Sequence, residues 1–197
     1  MNKKIALTLI VVFVIVGITF IFMYNSLVKA EMAVKEAKAQ IAVAFQRKLD
    51  LIPNLVETVK GYASHERETL TAVTEARNKA QGILHDITAE KSLSKNQIAK
   101  LDASQGQLTN ALKSLFALAE NYPNLKASSN FLVLQDQLEG AENRISLARQ
   151  RYNYAVKLYS IKVSIFPGNL VARICGFQVM DDYFKSSSSR ETVAVNF

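Results

Sequence analysis

The apolar residues of this chain follow two patterns. From Ile5 to Met23 they succeed one another without a charge, and a helix of that run would be about 28 Å long, matching the hydrocarbon core of a bilayer. The run predicts a membrane span. Beyond it, apolar positions recur at spacings of three and four, as in helices with one buried seam. Leu27, Ala30, Val34, Ala37, Ile41 and Ala44 define a first helix over 26–49. Asp50 can cap a second, with Pro53 in its first turn where the missing N–H costs little. The seam of this second helix is Ile52, Leu55, Val59, Tyr62, Glu66, Thr69, Val73, Ala76, Ala80, Ile83 and Ile87. Ser94 and Gln97 have the spacing of a capping box. They open a third helix, with seam Ile98, Leu101, Gln105, Leu108, Leu112, Leu115 and Ala119, that ends at Tyr122-Pro123. A fourth runs from near Ser128 to about Phe166 through Phe131, Leu134, Leu138, Ala141, Ile145, Ala148, Tyr152, Ala155 and Tyr159. A seam of this period over several heptads implies coiled-coil-like packing at small crossing angles.

The expected fold is therefore all-α. An N-terminal transmembrane helix occupies 1–24, an up-and-down four-helix bundle with coiled-coil-like packing occupies 25–167, and an irregular tail, flexible at Ser186 to Ser189, occupies 168–197. One length does not fit: the second helix would reach about 58 Å and the first only about 38 Å. Three arrangements remain open. The body tilts at a hinge near Tyr24-Asn25-Ser26, the second helix breaks near Gly61 or Gly82, or Pro53 merely kinks one long helix.

A cleavable signal peptide would share the basic start Asn2-Lys3-Lys4. Its apolar region would be only about 7–15 residues, however, and the best cleavage match here, Val28-Lys29-Ala30, falls in the first amphipathic helix. A retained signal anchor is the reading. The basic groups on the two sides of the run, Lys3, Lys4 and the terminal amine against Lys29, Lys35 and Lys38, nearly balance and leave both orientations open; the closeness of Lys3 and Lys4 to the run favours a cytoplasmic N-terminus and an extracytoplasmic body.

Composition agrees with a membrane segment joined to an ordinary globular body: 49% of residues are hydrophobic and 21% charged. The net charge of +7 comes from 24 basic and 17 acidic residues. No basic run exceeds Arg47-Lys48, so a nucleic-acid groove is not indicated, and weak attraction to anionic lipid is the better use of the excess. The single cysteine, Cys175, excludes an intrachain disulfide and a multi-cysteine metal site. Neither His65 nor His85 follows a glutamate by three residues, and Thr69 stands where a His-Glu-x-x-His motif beginning at His65 needs its second histidine. The ligand spacing of a metal centre is thus missing. Neither a nucleophile motif nor a phosphate loop is present, so no enzyme and no cofactor are expected. Glu66 occupies a seam position. Either the seam shifts locally toward Leu70 and leaves Glu66 to water, or Glu66 is a buried carboxylate paired with Arg144, Arg149 or Arg151, which follow Glu139 and Glu142 on the fourth helix.

Several blocks resemble the LemA family of bacterial membrane proteins: Tyr24 to Val28, the stretch Asp50-Leu51-Ile52-Pro53-Asn54-Leu55-Val56-Glu57-Thr58-Val59-Lys60-Gly61-Tyr62-Ala63 with His65-Glu66, Glu120 to Ala127, Asn130-Phe131, Glu142 to Ile145, Ala148-Arg149, Arg151 to Asn153, and Phe166-Pro167. The resemblance covers nearly the whole chain and is loosest in the final Val195-Asn196-Phe197. It implies a single-pass protein of the bacterial inner membrane without established catalysis, connected with envelope stress or membrane protein quality control. It provides no catalytic residues. It marks Glu57, Lys60, His65, Glu66, Arg77, Glu142, Arg144 and Arg149, with Glu120 and Lys126, as a candidate polar network or interaction surface. The expected function is a scaffold or adaptor that touches lipid through its anchor, binds protein partners and self-associates. The alternative is a sensor or ligand-binding module built on a buried Glu/Arg site.

Overall fold

A computed structural model describes residues 3–88 and 92–184. Every regular element among them is helical: α1 (Lys3–Lys60), α2 (Arg67–Thr88), α3 (Lys95–Ala119), the single turn α4 (Pro123–Lys126), α5 (Ser129–Ser164) and α6 (Gly168–Cys175). The Ser186 to Ser189 stretch and the last three residues lie outside the described residues.

The predicted first helix is not separate from the span, nor from the start of the second. α1 is one helix of 58 residues with Pro53 inside it, about 87 Å long. Its first part is bare, with Leu7, Phe13 and Phe22 among the exposed side chains, and its second part carries the buried stripe Leu27, Val34, Ile41, Phe45, Leu49, Ile52, Leu55 and Val59. Asp50 is no cap; its Oδ1 accepts from Gln46 Nε2 at 2.6 Å within the helix. A proline inside a helix costs about 3 kcal/mol. Burying Leu49, Ile52, Leu55 and Val59 on one stripe outweighs that, at about 1.5–3 kcal/mol each. Of the arrangements left open by the sequence, Pro53 within one long helix and a break near Gly61 both hold: the chain turns toward α2 at Gly61.

Side-chain pairs fix the directions. Gln46 and Gln81 exchange amide hydrogen bonds of 3.2 and 2.8 Å between α1 and α2, while Lys48 meets Glu142 and Lys162 meets Ser26 between α1 and α5. Both pairs of helices are antiparallel. α1 packs closely on α5 and on α2, and α2 on α3; α3 meets α5 through long side chains such as Phe116 and Phe131, whose rings lie edge to face at 5.9 Å. All seven predicted seam residues of α3 are buried, and Ser94 and Gln97 form the capping box. In α2 the seam runs through Leu70 and Val73, with Glu66 and Thr69 only partly covered.

The tail predicted as irregular is built, as far as Phe184. α6 buries Val171 and Ala172, and the run after it, to Phe184, lies along α5. Met180 and Phe184 are held by Ser160 and Asn153, each of which donates to a backbone carbonyl and accepts from the N–H of the same residue. The side chains of α5 thus satisfy a backbone that has no secondary structure of its own.

Candidate functional site

The polar residues that converge lie midway along the body, where α1, α3 and α5 meet. Glu142 of α5 is the centre. Its Oε2 takes Lys48 Nζ from α1 at 2.5 Å, and its Oε1 takes Gln105 Nε2 from α3 at 2.5 Å. The carbonyl oxygen of Gln105 accepts from Arg149 Nη2, two turns further along α5. Arg149 Nη2 also stands 2.7 Å from Asp102 Oδ1. That ion pair is close but poorly directed: the aspartate oxygen and Arg149 Nε are shielded from solvent, and neither makes a well-aligned hydrogen bond. The guanidinium lies 4.8 Å from the centre of the Phe184 ring, which itself meets Tyr152 edge to face at 5.6 Å. Tyr152 in turn accepts the Leu93 N–H at 3.4 Å, just before α3 begins.

The reason for long side chains here is spacing. α3 and α5 do not approach closely along their backbones, so Gln105 and Arg149 bridge what smaller groups would leave empty. Lys48 and Gln105 are buried, whereas the Glu142 side chain is 45% exposed. Burial lowers the Arg149 guanidinium below its ordinary value, and the nearby charges of Asp102 and Glu142 oppose that shift. The network holds two cations, Lys48 and Arg149, and two anions, Glu142 and Asp102.

The residues named from sequence are placed as follows. Glu142 and Arg149 belong to this network. Glu66 does not meet an arginine of α5; its Oε1 accepts from Tyr122 Oη at 2.9 Å, joining the α1–α2 turn to the α3–α4 turn. That bond raises the Tyr122 phenol above its usual range, with desolvation and the Glu66 charge adding to it. Glu57 and Lys60 form an exposed pair at 3.6 Å, and Lys126 pairs with Glu120 near Tyr122. His65 is exposed in the turn before α2. Arg77, midway along α2, donates to Asn78 at 3.3 Å. Arg144 faces a shallow groove between α1 and α5 with Glu36, Val43, Arg47, Leu147 and Arg151. Lys48 and Asp102 were not singled out from sequence; Gln105 was visible as the polar interruption of the third seam. Among the described residues, no three His, Cys, Asp or Glu side chains gather as a metal site would need.

With this geometry in view, similarity to known proteins is decisive about kinship. The LemA family model matches residues 37–197. The chain belongs to the LemA family. Protein LemA of Metamycoplasma hominis is 30% identical over 158 residues, covering 78% of this chain and 67% of that protein. Magnetosome protein MamQ 2 of Paramagnetospirillum magneticum is 26% identical over 188 residues, covering 88% of this chain and 69% of the relative. Magnetosome protein MamQ of Magnetospirillum gryphiswaldense is 24% identical over the same length. In this LemA-family chain α1 is long and apolar enough to cross a membrane.

Proposed function

We propose that this LemA-family protein is a non-enzymatic scaffold or adaptor of the bacterial cell envelope, serving membrane protein quality control or the envelope stress response. In this reading residues 5–23 are a retained, single-pass signal anchor, and an up-and-down four-helix body with coiled-coil-like contacts presents binding surfaces beside the inner membrane. The observation that carries the reading is the continuity of α1, in which the apolar stretch and the buried stripe from Leu27 onward share one helix. A cut after Ala30 would remove Leu27 and Ala30 from the core, so the helix favours retention over cleavage. Lys3 and Lys4 favour an extracytoplasmic body. The groove at Val43 and Leu147, rimmed by Arg47, Arg144 and Arg151, is a surface that a helical partner or a second copy would use.

Two measurements test this. A photo-crosslinker at Val43 or Leu147 in intact cells should trap a discrete protein that one at buried Val34 does not; recovering only lipid and abundant bystanders would count against the scaffold. Tyr62→Cys on a Cys175→Ser background should react with a membrane-impermeant thiol reagent in cells whose outer barrier alone is opened. Protection there would reverse the orientation.

The shielded, unpartnered Nε of Arg149 favours one second reading, a sensor that binds an anionic group at the network. Under it, Arg149→Gln abolishes ligand-dependent thermal stabilisation while the fold stays intact. Under the scaffold reading the same change only destabilises.

A further inference from the structure

The body meets the apolar stretch of α1 at one end, and that end carries apolar side chains that no other described residue covers. α5 stops at Ser164, and the chain turns into α6. Two contacts fix the height of this turn. Lys162 Nζ donates to Ser26 Oγ at 2.9 Å, and the rings of Tyr24 and Phe177 meet edge to face at 5.9 Å. Ser26 is only about 4.5 Å along the axis from Met23, the last residue of the apolar run. Residues 165–177 therefore lie beside α1 at the level where it leaves that run.

α6 has two faces. Gly168, Val171 and Ala172 are buried, on the side that packs against α1 and α5. Leu170 and Ile174 point away, 52% and 73% exposed, and Phe166, four residues before Leu170, is 76% exposed. The helix is seated firmly, since a Cβ on Gly168 would come within 2.3 Å of the Lys162 carbonyl oxygen. From Ile161 through Met180 the only charged side chains are Lys162 and Arg173, both cationic, and the first charge on α1 beyond Met23 is Lys29, also cationic.

We propose that α6 is an interfacial foot whose exposed face is occupied by lipid. Phe166, Leu170 and Ile174 enter the boundary between headgroups and acyl chains, and Arg173, with Lys29, faces anionic headgroups. Three features carry this: the height beside the end of the span, the apolar outer face, and the cationic side chains Arg173 and Lys29 at that level, with Glu31, Asp181 and Asp182 lining the cleft where the chain runs back along α5 away from the span. A short amphipathic helix with those properties lies in the plane of the interface and buries its apolar side there. The proposal rests on residues 5–23 spanning the bilayer, and adds a second lipid contact that sets the angle at which the body stands.

The test uses the full chain, one copy per nanodisc of mixed zwitterionic and anionic lipid, with a nitroxide at one position at a time. On a Cys175→Ser background the positions are Ile174→Cys on the foot, Ile15→Cys in the span and Tyr62→Cys at the far end; the unaltered chain labelled at Cys175 is a further probe that needs no substitution. The expected result is that the label at 174 is several-fold more accessible to oxygen than to a water-soluble nickel chelate, between the deep label at 15 and the aqueous label at 62. Chelate access at 174 equal to that at 62 overturns the foot, as does a label at 174 shielded from both reagents, which would mean a protein contact. If the label at 15 is itself aqueous, the span has failed and not the foot alone.

Discussion

The Lys48–Glu142 pair makes an asymmetric prediction. Lys48 is almost wholly enclosed, its side chain 4% exposed, while that of Glu142 is 45% exposed. In Glu142→Ala, the ammonium stays in place without a counter-charge and the Gln105 amide loses its acceptor. Removing one partner of a fully buried ion pair costs about 3–5 kcal/mol; with one partner half in water, about 2–3 kcal/mol is expected. In Lys48→Met the buried charge itself is gone, a side chain of similar length fills the space, and Glu142 can hydrate. That change should cost less than about 1 kcal/mol. The double variant should recover most of the loss, because the stranded ammonium that causes it is absent. For a body of this size, about 2–3 kcal/mol lowers the melting midpoint by roughly 4–12 °C. Far-UV circular dichroism on the full chain in nanodiscs would follow it. If Lys48→Met destabilises as much as Glu142→Ala, or the double variant is no better than Glu142→Ala, the reasoning about stranded charge is wrong.

Three further predictions concern other parts of the body. Gly168→Ala forces a methyl group against the Lys162 carbonyl and should cost about 1–3 kcal/mol, with faster amide exchange at Gly176 and Phe177 as the local sign. Asn153→Ala removes both hydrogen bonds to Phe184, about 1–3 kcal/mol together; limited proteolysis should then cut within 177–184 before it cuts any helix, and unchanged resistance would refute the clamp. Burial first, and then the charge of Asp182, raises the Tyr152 phenol above 10.0, with the Leu93 N–H acting the other way. Burial and the charge of Glu31 likewise raise Tyr159. A phenol whose folded value is raised holds its proton more tightly when folded, so its stabilisation is complete below about pH 10 and is lost as the pH climbs through the folded value. Unfolding above pH 10 should therefore coincide with a late step in phenolate absorbance, and Tyr152→Phe should diminish both.

The third helix was the most legible part of the chain, because its stripe, its serine cap and its ending all agreed. Pro53 left a turn and a continuous helix both open for a definite reason. Read locally, a proline after an aspartate opens a helix, but the stripe on either side of it continues in phase, and packing against α5 decides the outcome. Phe45 replaces Ala44 on that stripe for the same reason: a three-or-four spacing allows both, and the larger side chain fills the interface. α6 is too short for periodicity to mark, and the run to Phe184 is held by Ser160 and Asn153, which no local pattern connects to it. At the polar network, Glu142 and Arg149 could be named because a resemblance pointed to their blocks. Asp102 and Lys48 could not, since each sits beside a seam where a charge ordinarily faces water, and only α5, through Arg149 and Glu142, gives them partners.

With residues 5–23 across a bilayer, as proposed above, the unbroken run of α1 from Lys3 to Lys60 makes the protein a lever. Each helical residue turns the chain by about 100°, so the compass bearing of the body in the plane of the membrane is set by which side of the span faces which lipid or neighbour. Inserting one residue near Asn25 would swing the bearing by that angle, and Val43 and Leu147 would look in a new direction. Tilt is magnified in the same way. The far end of α1 stands roughly 55 Å beyond Met23, so a lean of about 10°, well within the range that bilayer thickness imposes on spanning helices, would carry the Glu66–Tyr122 tip sideways by roughly 10 Å. A thinning or thickening of the membrane thus becomes a displacement far above its surface.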